Sequence, residues 1–244
     1  MIYVLIPSFN DCENFAELFK NISKALKGQR YKVIIVNDGS TDKTKQVIKK
    51  LAKIYRVTMI GYDKNRGPGY AFKFGFNYLI PRLKTDDLII TMEADNTADY
   101  SILKRMIQES NKFDVILASP YSGTGTFLGI NLQRKILGRV ASILDRFIFR
   151  LKNIKTYSSF YRIYRAVTLK KAKKVYGDKF ITENGFAAVI EFLIKLSKIG
   201  ATFSEIPAIV DWRNREGKSK MRITKTIIRH LGLYKNYLQG KYTP

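Results

Sequence analysis

The stretch Leu88-Ile89-Ile90-Thr91-Met92-Glu93-Ala94-Asp95 joins a short apolar run directly to two carboxylates. A continuous apolar run of this length is typical of a strand that is buried on both faces of a parallel sheet. The two acids, one residue apart, follow where such a strand ends. We therefore predict a buried strand that delivers Glu93 and Asp95 into a common cleft.

The first half of the chain repeats this pattern of buried strand and amphipathic helix. Apolar runs predict strands at Ile2–Ile6, Val33–Val36, Val57–Ile60, Leu88–Met92 and Val115–Ala118. Between them apolar residues recur at helical spacing, as in a first helix for which Asn10 or Asp11 is the expected cap. Strands that alternate with helices indicate an α/β fold with right-handed βαβ units and a mostly parallel sheet.

Polar residues are concentrated where the predicted strands end. These segments are Pro7-Ser8-Phe9-Asn10-Asp11, Asn37-Asp38-Gly39-Ser40, Lys64-Asn65-Arg66-Gly67 and Glu93-Ala94-Asp95. Open α/β sheets bind their ligands at the carboxyl ends of the strands. We therefore expect the functional site at this edge of the sheet.

Two of these segments have a structural interpretation beside the functional one. Asp38 can accept hydrogen bonds from a ribose or a base, and its segment is also a good turn sequence, so both roles can hold at once. The glycines of Asn65-Arg66-Gly67-Pro68-Gly69 permit close backbone approach, and the helix that follows favours an anion at its N-terminus. The spacing matches neither a P-loop nor a dinucleotide-binding fingerprint.

Glu93 and Asp95 are the candidate metal ligands. Hard carboxylate oxygens suit Mg²⁺ or Mn²⁺ bridging a diphosphate, and such a cation offsets the charge that develops on a departing diphosphate. Paired acids of this kind also occur in solvated turns, but their position at the end of the fourth strand favours a metal site.

The second half of the chain has a different rhythm. Tyr121–Thr126 is expected to be a loop, Ile130–Leu151 and Gly185–Ile199 helices, Phe160–Ala166 and Phe203–Val210 strands, and Ile223–Leu238 a last helix. The helix over 130–151 carries its apolar residues on one side and several arginines along its length. Such a helix can lie in a membrane interface or pack its apolar face on its own core, and both alternatives stay open.

The composition bounds the location and the partners. A formal net charge of +24 points to anionic partners such as a nucleotide, a nucleic acid or an acidic lipid surface. One cysteine, no signal peptide at the N-terminus and no apolar run of about 18 residues predict a cytoplasmic protein without a membrane span. No recognised nucleic-acid module is present, so we expect no nucleic-acid partner.

A basic segment follows the last predicted strand. Arg213, Arg215, Lys218 and Lys220 form the densest cluster of cations, which can close over phosphates or be a solvated tail. The one histidine, His230, excludes a histidine-based metal site and a serine–histidine triad, and we expect it on a helix surface.

These motifs together resemble family 2 glycosyltransferases. Ile6–Asn14 is similar to the I-P-T-Y-N-E-x-E-N opening of that family, Val36–Ser40 to its V-D-D-G-S turn, and Glu93–Asp95 to its D-x-D metal motif. Later segments look like the dolichyl-phosphate mannose synthase (polyprenyl-phosphate glycosyltransferase) branch. They are Ser159–Tyr164 (S-G-F-R-A-Y), Gly185-Phe186 with Glu191 (G-F-x-x-x-x-E), Glu205-Ile206-Pro207 (E-V-P) and Gly217–Met221 (G-x-S-K-L/M).

The resemblance implies an A-type glycosyltransferase fold and an inverting hexosyl transfer from a GDP- or UDP-sugar, such as GDP-mannose, to a polyprenyl (dolichyl) phosphate. Glu93 and Asp95 would hold Mg²⁺ or Mn²⁺, and Asp95, Arg162 and Glu183 are the candidate catalytic residues. The candidate residues for the nucleotide-sugar are Pro7, Phe9, Asp11, Val36, Asp38, Gly67, Ala94, Arg213, Arg215 and Lys220. Ala118-Ser119-Pro120-Tyr121 lacks the arginine of the family's G-S-R-Y, so Arg134 and Arg139 join Arg162 as candidates for the acceptor phosphate.

The acceptor depends on Glu183. Thr182-Glu183-Asn184 could be a shortened form of the T-E-D base motif used with sugar-hydroxyl acceptors. A hydroxyl needs such a base, whereas a lipid phosphate is already largely dianionic near neutrality. Because the chain is so basic, we favour a lipid phosphate at an anionic membrane surface. A sugar-hydroxyl acceptor, a nucleotidyltransferase and, last, a basic nucleic-acid-binding protein remain as alternatives.

We expect three parts in the chain. Residues 1–121 would bind the nucleotide-sugar, residues 122–212 would form the acceptor side of the same catalytic domain, and residues 213–244 would be a basic segment with a helix. A protein of this kind would lie peripherally on the cytoplasmic face of a membrane, and a separate membrane-anchoring subunit is left open as a partner.

Overall fold

A computed structural model of the protein describes residues 1–217 and 223–244. Its strands are β1 (Ile2–Ser8), β2 (Tyr31–Asp38), β3 (Val57–Tyr62), β4 (Leu88–Thr91), β5 (Val115–Ser119), β6 (Thr126–Leu128), β7 (Arg162–Arg165), β8 (Phe203–Pro207) and β9 (Ile209–Asp211). Its helices are α1 (Phe15–Ala25), α2 (Thr44–Leu51), α3 (Pro68–Leu79), α4 (Leu103–Glu109), α5 (Leu132–Phe149), α6 (Ala166–Tyr176), α7 (Ala188–Lys198) and α8 (Ile223–Leu238).

Seven of the strands form one sheet in the order β3-β2-β1-β4-β7-β5-β8. All neighbouring pairs are parallel except those of β7, which lies antiparallel between β4 and β5. The prediction of an α/β fold with a mostly parallel sheet is therefore confirmed. β6 and β9 pair with each other in a small second sheet.

Apolar residues of the central strands face a helix layer on each side of the sheet. One cluster joins Leu5 and Val36 to Phe72 and Phe76 of α3 and extends to α6 and α7. The other joins Val4 and Ile35 to α1 and α4. Because both faces are covered, the strands read as the continuous apolar runs from which they were predicted.

Local signals set several element ends. Gly67 has φ of 95° and is followed by Pro68 at the start of α3, where the absent proline N–H costs no helical hydrogen bond. Asn131 Oδ1 accepts from the Gln133 N–H at 2.8 Å and caps α5, which ends at Phe149 before the left-handed Arg150. The expected cap at Asn10 or Asp11 is wrong, because α1 begins at Phe15 and Asn10 Oδ1 instead accepts from Thr41 N–H at 2.8 Å.

The second half differs from the prediction in three places. The strand expected over Phe203–Val210 is divided, since β8 pairs with β5 while β9 turns away to pair with β6. The segment expected to be a loop ends in β6, and β7 covers only part of the strand expected over Phe160–Ala166. The helices α4 and α6 were not predicted. The functional division at residues 121 and 212 stays a prediction.

The apolar side of α5 faces outward. Its exposed side chains are Leu132, Ile136, Leu137, Val140, Ile143, Leu144 and Phe147, of which Phe147 is 71% exposed. The residues of α5 that are buried are Ser142, Asp145 and Phe149. Of the two alternatives for this helix, packing of the apolar stripe on the protein's own core is therefore excluded.

The last helix, α8, packs on α5 through polar and aromatic contacts. Asp145, 1% exposed, accepts hydrogen bonds from His230 Nε2 at 2.5 Å and from Tyr234 Oη at 3.0 Å. Phe149 packs edge-on against Tyr237. The prediction of His230 as a helix-surface residue is wrong, because its side chain is only 13% exposed and joins two helices. Within residues 1–217 and 223–244, no helix is both long enough and apolar enough to cross a bilayer.

Candidate functional site

The parallel strands β1, β2, β3 and β4 end at the same edge of the sheet. Ser8 pairs with Asn37, Asp38 pairs with Tyr62, and Leu5 pairs with Thr91. This register brings together the loops after β1, β2, β3 and β4, as predicted from the concentration of polar residues at the strand ends. We call the space above this edge the cleft.

The loop after β1 is fixed by its own carboxylate and by the loop after β2. Asp11 Oδ2 accepts from Ser8 Oγ and from the Phe9 N–H, both at 3.0 Å. The Asp11 N–H in turn donates to Thr44 Oγ1 at 3.0 Å. Pro7, Phe9 and Asp11 are half-buried at the cleft, whereas the side chain of Val36 lies fully in the core beneath it.

Asp38 locks the loop that precedes α3. Its Oδ1 accepts from the Arg66 N–H at 2.7 Å, and its Oδ2 accepts from the Gly67 N–H at 2.9 Å and from Asn65 Nδ2 at 3.0 Å. Burial raises the pKa of Asp38 above its ordinary value, and the backbone N–H groups of Arg66 and Gly67 oppose this shift. Asp38 is 2% exposed, so the structural interpretation of its turn segment holds in this conformation.

Glu93, which is half-buried, and Asp95, which is buried, both follow β4. Burial raises the pKa of Glu93 to about 8, and the neighbouring charge of Asp95 adds to the rise. Asp95, 6% exposed, accepts at Oδ1 from Thr97 Oγ1 at 2.8 Å. Neighbouring carboxylates of this kind attract a cation.

Arg215 provides a positive charge beside these carboxylates. Its Nη1 lies 2.7 Å from Asp95 Oδ2, and the guanidinium group stacks 5.3 Å from the ring of Trp212. Arg134 of α5 lies at the same distance from that ring, so Trp212 is contacted by two cations. Arg213 instead binds Asp211 through two side-chain hydrogen bonds and is mostly exposed. Of the two arginines that the sequence did not separate, Arg215 therefore reaches the cleft carboxylates.

The segment that carries Arg215 is attached to α1. Asn14 Oδ1 accepts from the Glu216 N–H at 3.2 Å, and Asn14 Nδ2 donates to the Glu216 carbonyl at 3.4 Å. Asn96 Nδ2 donates to the Asn14 carbonyl at 3.0 Å. Asn14 therefore links the loop after β4 to the segment after β9.

Arg162 lies on β7 and is fully buried. Its Nη1 donates to the Val189 carbonyl at 2.8 Å and its Nη2 to the Tyr157 carbonyl at 2.5 Å. In this conformation the guanidinium group ties β7 to α7 and to the preceding loop. Its predicted contacts with substrate phosphates stay a prediction.

Glu183 lies in a loop that Arg229 and Glu191 hold in place. Glu183 ion-pairs with Arg229 of α8 and accepts from the Gly185 N–H at 2.8 Å. Glu191, 1% exposed, accepts from the backbone N–H groups of Thr182 at 2.9 Å and Glu183 at 2.7 Å. Lys195 neutralises the Glu191 carboxylate at 2.5 Å.

The same loop packs directly against the start of α3. The Asn184 carbonyl accepts from the Gly69 N–H at 2.9 Å. A Cβ on Gly69 would lie 2.5 Å from Ala188 Cβ and against the Glu183 carbonyl. A Cβ on Gly67, the predicted donor-site glycine, would lie 2.5 Å from the Asn184 carbonyl oxygen. Glycine at both positions therefore lets the loop before α7 approach the start of α3 closely.

The remaining predicted residues are distributed as follows. Ala94 is buried between the two acids, and Arg139 is exposed on α5, where its charge acts on Tyr121. Lys218 and Lys220 lie outside the described residues. The predicted roles of all these residues in binding stay predictions.

Sequence reasoning missed several residues that build the cleft. Asn96, Thr97, Trp212 and Arg229 all contact a predicted site residue or its loop. Asn96 has φ of 61°, a conformation that asparagine tolerates better than most residues, and this was the one local signal. The others act across long separations that no local pattern records.

The cleft offers oxygen donors for a divalent cation. They are the carboxylates of Glu93 and Asp95, with Asn96 Oδ1 nearby on the same loop, which is buried and has no hydrogen-bond partner among the described residues. Among those residues, no three histidine, cysteine, aspartate or glutamate side chains are placed together so that they could hold a metal ion. Two carboxylates fit Mg²⁺ or Mn²⁺, which are commonly bound by one or two carboxylates together with substrate phosphates.

Comparison with known families gives one match over most of the chain. The model of the family described as glycosyl transferase family 2 matches residues 3–172. The match includes the loops after β1, β2, β3 and β4, and it ends within α6.

Curated relatives extend the similarity toward the C-terminus. A dolichol-phosphate mannosyltransferase of Pyrococcus furiosus is 29% identical over 235 residues, which cover 94% of this chain and 61% of the relative. An undecaprenyl-phosphate 4-deoxy-4-formamido-L-arabinose transferase of Edwardsiella ictaluri is 25% identical over 69% of this chain and 50% of the relative. The chain therefore spans between half and two thirds of the length of these relatives.

Solved structures share the fold. Glucosyl-3-phosphoglycerate synthase from Mycobacterium tuberculosis, in complex with Mn²⁺, UDP and glucosyl-3-phosphoglycerate, superposes with a TM-score of 0.67 at 13% identity over 100% of this chain and 81% of that one. Staphylococcus aureus TarS 1-349 in complex with UDP-GlcNAc gives a TM-score of 0.60 at 19% identity over 89% of this chain and 59% of that one. The predicted fold class is confirmed by these similarities.

Proposed function

Because the chain belongs to glycosyl transferase family 2, we propose that it moves a hexose from a GDP- or UDP-sugar to a polyprenyl phosphate. The transfer inverts the anomeric centre, uses Mg²⁺ or Mn²⁺ and takes place at an anionic membrane surface. The observation that carries the proposal is the cleft itself, in which Glu93 and Asp95 lie at the end of β4 and face Arg215.

The donor half of the proposal rests on the residues around β4. Glu93 and Asp95 would hold the cation, which offsets the negative charge that develops on the departing nucleoside diphosphate. Asp38 keeps the loop before α3 rigid, and this loop ends where the N-terminus of α3 favours an anion. Mn²⁺ and UDP in the M. tuberculosis synthase support the same use of the fold here.

The acceptor half rests on Glu183. A sugar-hydroxyl acceptor needs a carboxylate that is free to take a proton. Glu183 instead pairs with Arg229 and caps the Gly185 N–H, which commits one of its oxygens to two donors. A phosphate acceptor needs no base, so catalysis reduces to alignment and to neutralisation of charge. The polyprenyl-phosphate transferases among the relatives support this choice.

The position at a membrane rests on α5 and α8. Exposed apolar side chains on α5 include Ile143 (55%) and Phe147 (71%), and those on α8 include Ile228 (64%) and Leu231 (56%). α5 also carries Arg134, Lys135, Arg139 and Arg146, and Arg150 follows its last residue. Apolar side chains beside cations suit the boundary between acyl chains and acidic headgroups. The Asp145–His230 contact holds α5 and α8 together, and we call their exposed sides the α5–α8 face.

A thermal-shift panel tests the donor and the metal together. The protein is heated with GDP-mannose, UDP-glucose, UDP-GlcNAc, GDP or UDP, each with and without Mn²⁺. We expect one sugar nucleotide to raise the midpoint in a metal-dependent way, and Asp95→Asn to abolish this rise. Asp99→Asn is the matched control, because Asp99 lies four positions along the same segment and binds backbone N–H groups of Ser101 and Ile209 instead.

The panel also has an outcome against the proposal. If no sugar nucleotide raises the midpoint with Mn²⁺, or if Asp95→Asn retains the full rise, Glu93 and Asp95 are not the metal and diphosphate site.

A further inference from the structure

Arg215 and Asp95 form an ion pair that is largely closed to solvent. The Nη1–Oδ2 distance is 2.7 Å, and the side chains of Asp95 and Arg215 are 8% and 14% exposed. The other Asp95 oxygen, Oδ1, accepts from the Thr97 N–H and hydroxyl. In this conformation both oxygens of Asp95 are therefore bound by groups of the protein.

This arrangement conflicts with the proposed role of Asp95 as a metal ligand. A divalent cation that binds Asp95 Oδ2 would compete with Arg215 Nη1 for that oxygen. A guanidinium group and a metal ion at one carboxylate oxygen would also repel each other strongly in a buried environment. Arg215 and the cation are thus alternative partners of Asp95.

We propose that Arg215 occupies the cation's place on Asp95 in the metal-free protein, and that binding of the cation releases Arg215 toward the diphosphate of the donor. This inference rests on the proposed metal role of Glu93 and Asp95. Arg215 Nε is buried without a hydrogen-bond partner among the described residues, so the guanidinium group has donor capacity that the ion pair with Asp95 does not use. A bound diphosphate would offer oxygens that accept hydrogen bonds from Arg215 Nε.

The exchange gives Arg215 a role in both states of the cleft. Without a cation, the buried Asp95 and the half-buried Glu93 would have no positive charge beside them, and Arg215 supplies one. With a cation bound, the released Arg215 would offer charge-assisted hydrogen bonds to a donor phosphate. One residue can thus stabilise both the empty and the loaded cleft, at the expense of affinity for the cation alone.

Trp212 reports on the position of Arg215. It is the one tryptophan of the chain, and the Arg215 guanidinium group lies 5.3 Å from its ring. Release of Arg215 removes this cation from the indole ring, while Arg134 contacts the ring from α5. Trp212 emission therefore follows the exchange without any assay of activity.

The test compares two neighbouring arginines. Arg215→Met removes the competing charge but keeps an aliphatic side chain, and Arg213→Met is the control, because Arg213 pairs with Asp211 outside the cleft. Mn²⁺ affinity is measured by calorimetry without nucleotide, and then UDP or GDP affinity at saturating Mn²⁺. We expect Arg215→Met to bind Mn²⁺ about tenfold more tightly and the nucleotide about tenfold more weakly, as loss of a charge-assisted hydrogen bond predicts. Arg213→Met should match the unmodified protein for Mn²⁺.

A second measurement uses the unmodified protein and does not depend on the stability of a variant. Saturating Mg²⁺, which is not paramagnetic, should change Trp212 emission, and Asp95→Asn should abolish the change. Constant emission in the presence of bound Mg²⁺, or equal Mn²⁺ affinity of Arg215→Met and the unmodified protein, would overturn the exchange and leave the metal site intact. If neither protein binds Mn²⁺ with or without nucleotide, the proposed metal role fails and the exchange fails with it.

Discussion

The backbone N–H of Arg66 donates a 2.7 Å hydrogen bond to the buried carboxylate of Asp38, 28 residues earlier in the chain. The neighbouring Gly67 N–H donates to the second carboxylate oxygen of Asp38 at 2.9 Å. Together these bonds hold the loop between β3 and α3 in the shape that lines the cleft. A side chain expected to contact the donor thus first builds the surface that would contact it.

Both carboxylate oxygens of Asp38 are needed to hold this loop. Asp38→Asn keeps one acceptor oxygen but presents an NH₂ group to the remaining backbone N–H. We expect a loss of about 1–3 kcal/mol in the free energy of unfolding, because a buried donor is left unpaired. We also expect weaker binding of the nucleotide-sugar. Urea unfolding and a donor titration measure the two effects, and an unchanged free energy of unfolding would contradict the role of Asp38 in the loop.

Gly69 lies at the contact between the start of α3 and the segment that leads into α7. Gly69→Ala places a methyl group 2.5 Å from Ala188 Cβ, so α3 and the loop before α7 must move apart. We expect a destabilisation of about 1–3 kcal/mol, typical of overpacking. Gly232→Ala in α8 is the matched control, because nothing lies within 4 Å of the added atom there, and this variant should be neutral or slightly more stable. Equal midpoints in thermal unfolding would argue against the close packing at Gly69.

The α5–α8 face should determine association with anionic vesicles. Phe147→Asp, placed on a 71% exposed position, removes an apolar anchor and adds a charge that acidic lipids repel. We expect co-sedimentation with phosphatidylserine-containing vesicles to fall about tenfold or more, which corresponds to the loss of one buried aromatic side chain. The control is Ile54→Asp, because Ile54 is 76% exposed but lies after α2, apart from α5 and α8.

Two outcomes would count against this face. An equal loss for Ile54→Asp and Phe147→Asp would indicate a general effect of charge on the protein. Binding that is abolished by salt but insensitive to both substitutions would indicate attraction by net charge alone.

Glu183 separates the two classes of acceptor. If the acceptor is a phosphate, Glu183→Gln should change the transfer rate by no more than about threefold, because no proton has to be removed by the enzyme. If Glu183 is a base, the loss should be roughly 100-fold or more. Glu191→Gln is the contrasting variant, since Glu191 holds the loop through buried hydrogen bonds and its loss should lower stability rather than a single rate constant. Initial rates and unfolding midpoints of both variants provide the readout.

The first half of the fold could be predicted because its signals are local. Strands β1, β2, β4 and β5 are largely buried and therefore read as apolar runs, and glycine, proline and polar residues mark their ends. The strand β7 gave a weaker signal because it is short and carries the buried Arg162, a residue type that is rarely fully buried. Its antiparallel insertion between β4 and β5 has no local signature.

The sequence named Glu93, Asp95, Glu183 and Arg215 as candidates, but it did not reveal which arginine contacts which carboxylate. Arg215 contacts Asp95 across 120 residues of chain, and Arg229 contacts Glu183 across 46. Each arginine lies in a basic stretch, and nothing in the sequence shows which cation of that stretch makes the contact. For the same reason His230 was assigned to the surface, because nothing near it in the chain indicates Asp145.

The most direct measurement is a transfer assay with a polyprenyl phosphate in detergent, Mn²⁺ and the sugar nucleotide selected by thermal shift. Our account predicts a lipid-linked sugar of inverted anomeric configuration, released together with an equal amount of nucleoside diphosphate, and loss of this product in Asp95→Asn but not in Asp99→Asn. Release of pyrophosphate would identify a nucleotidyltransferase. Transfer to a sugar hydroxyl that requires Glu183, with none to the lipid phosphate, would contradict the proposed acceptor.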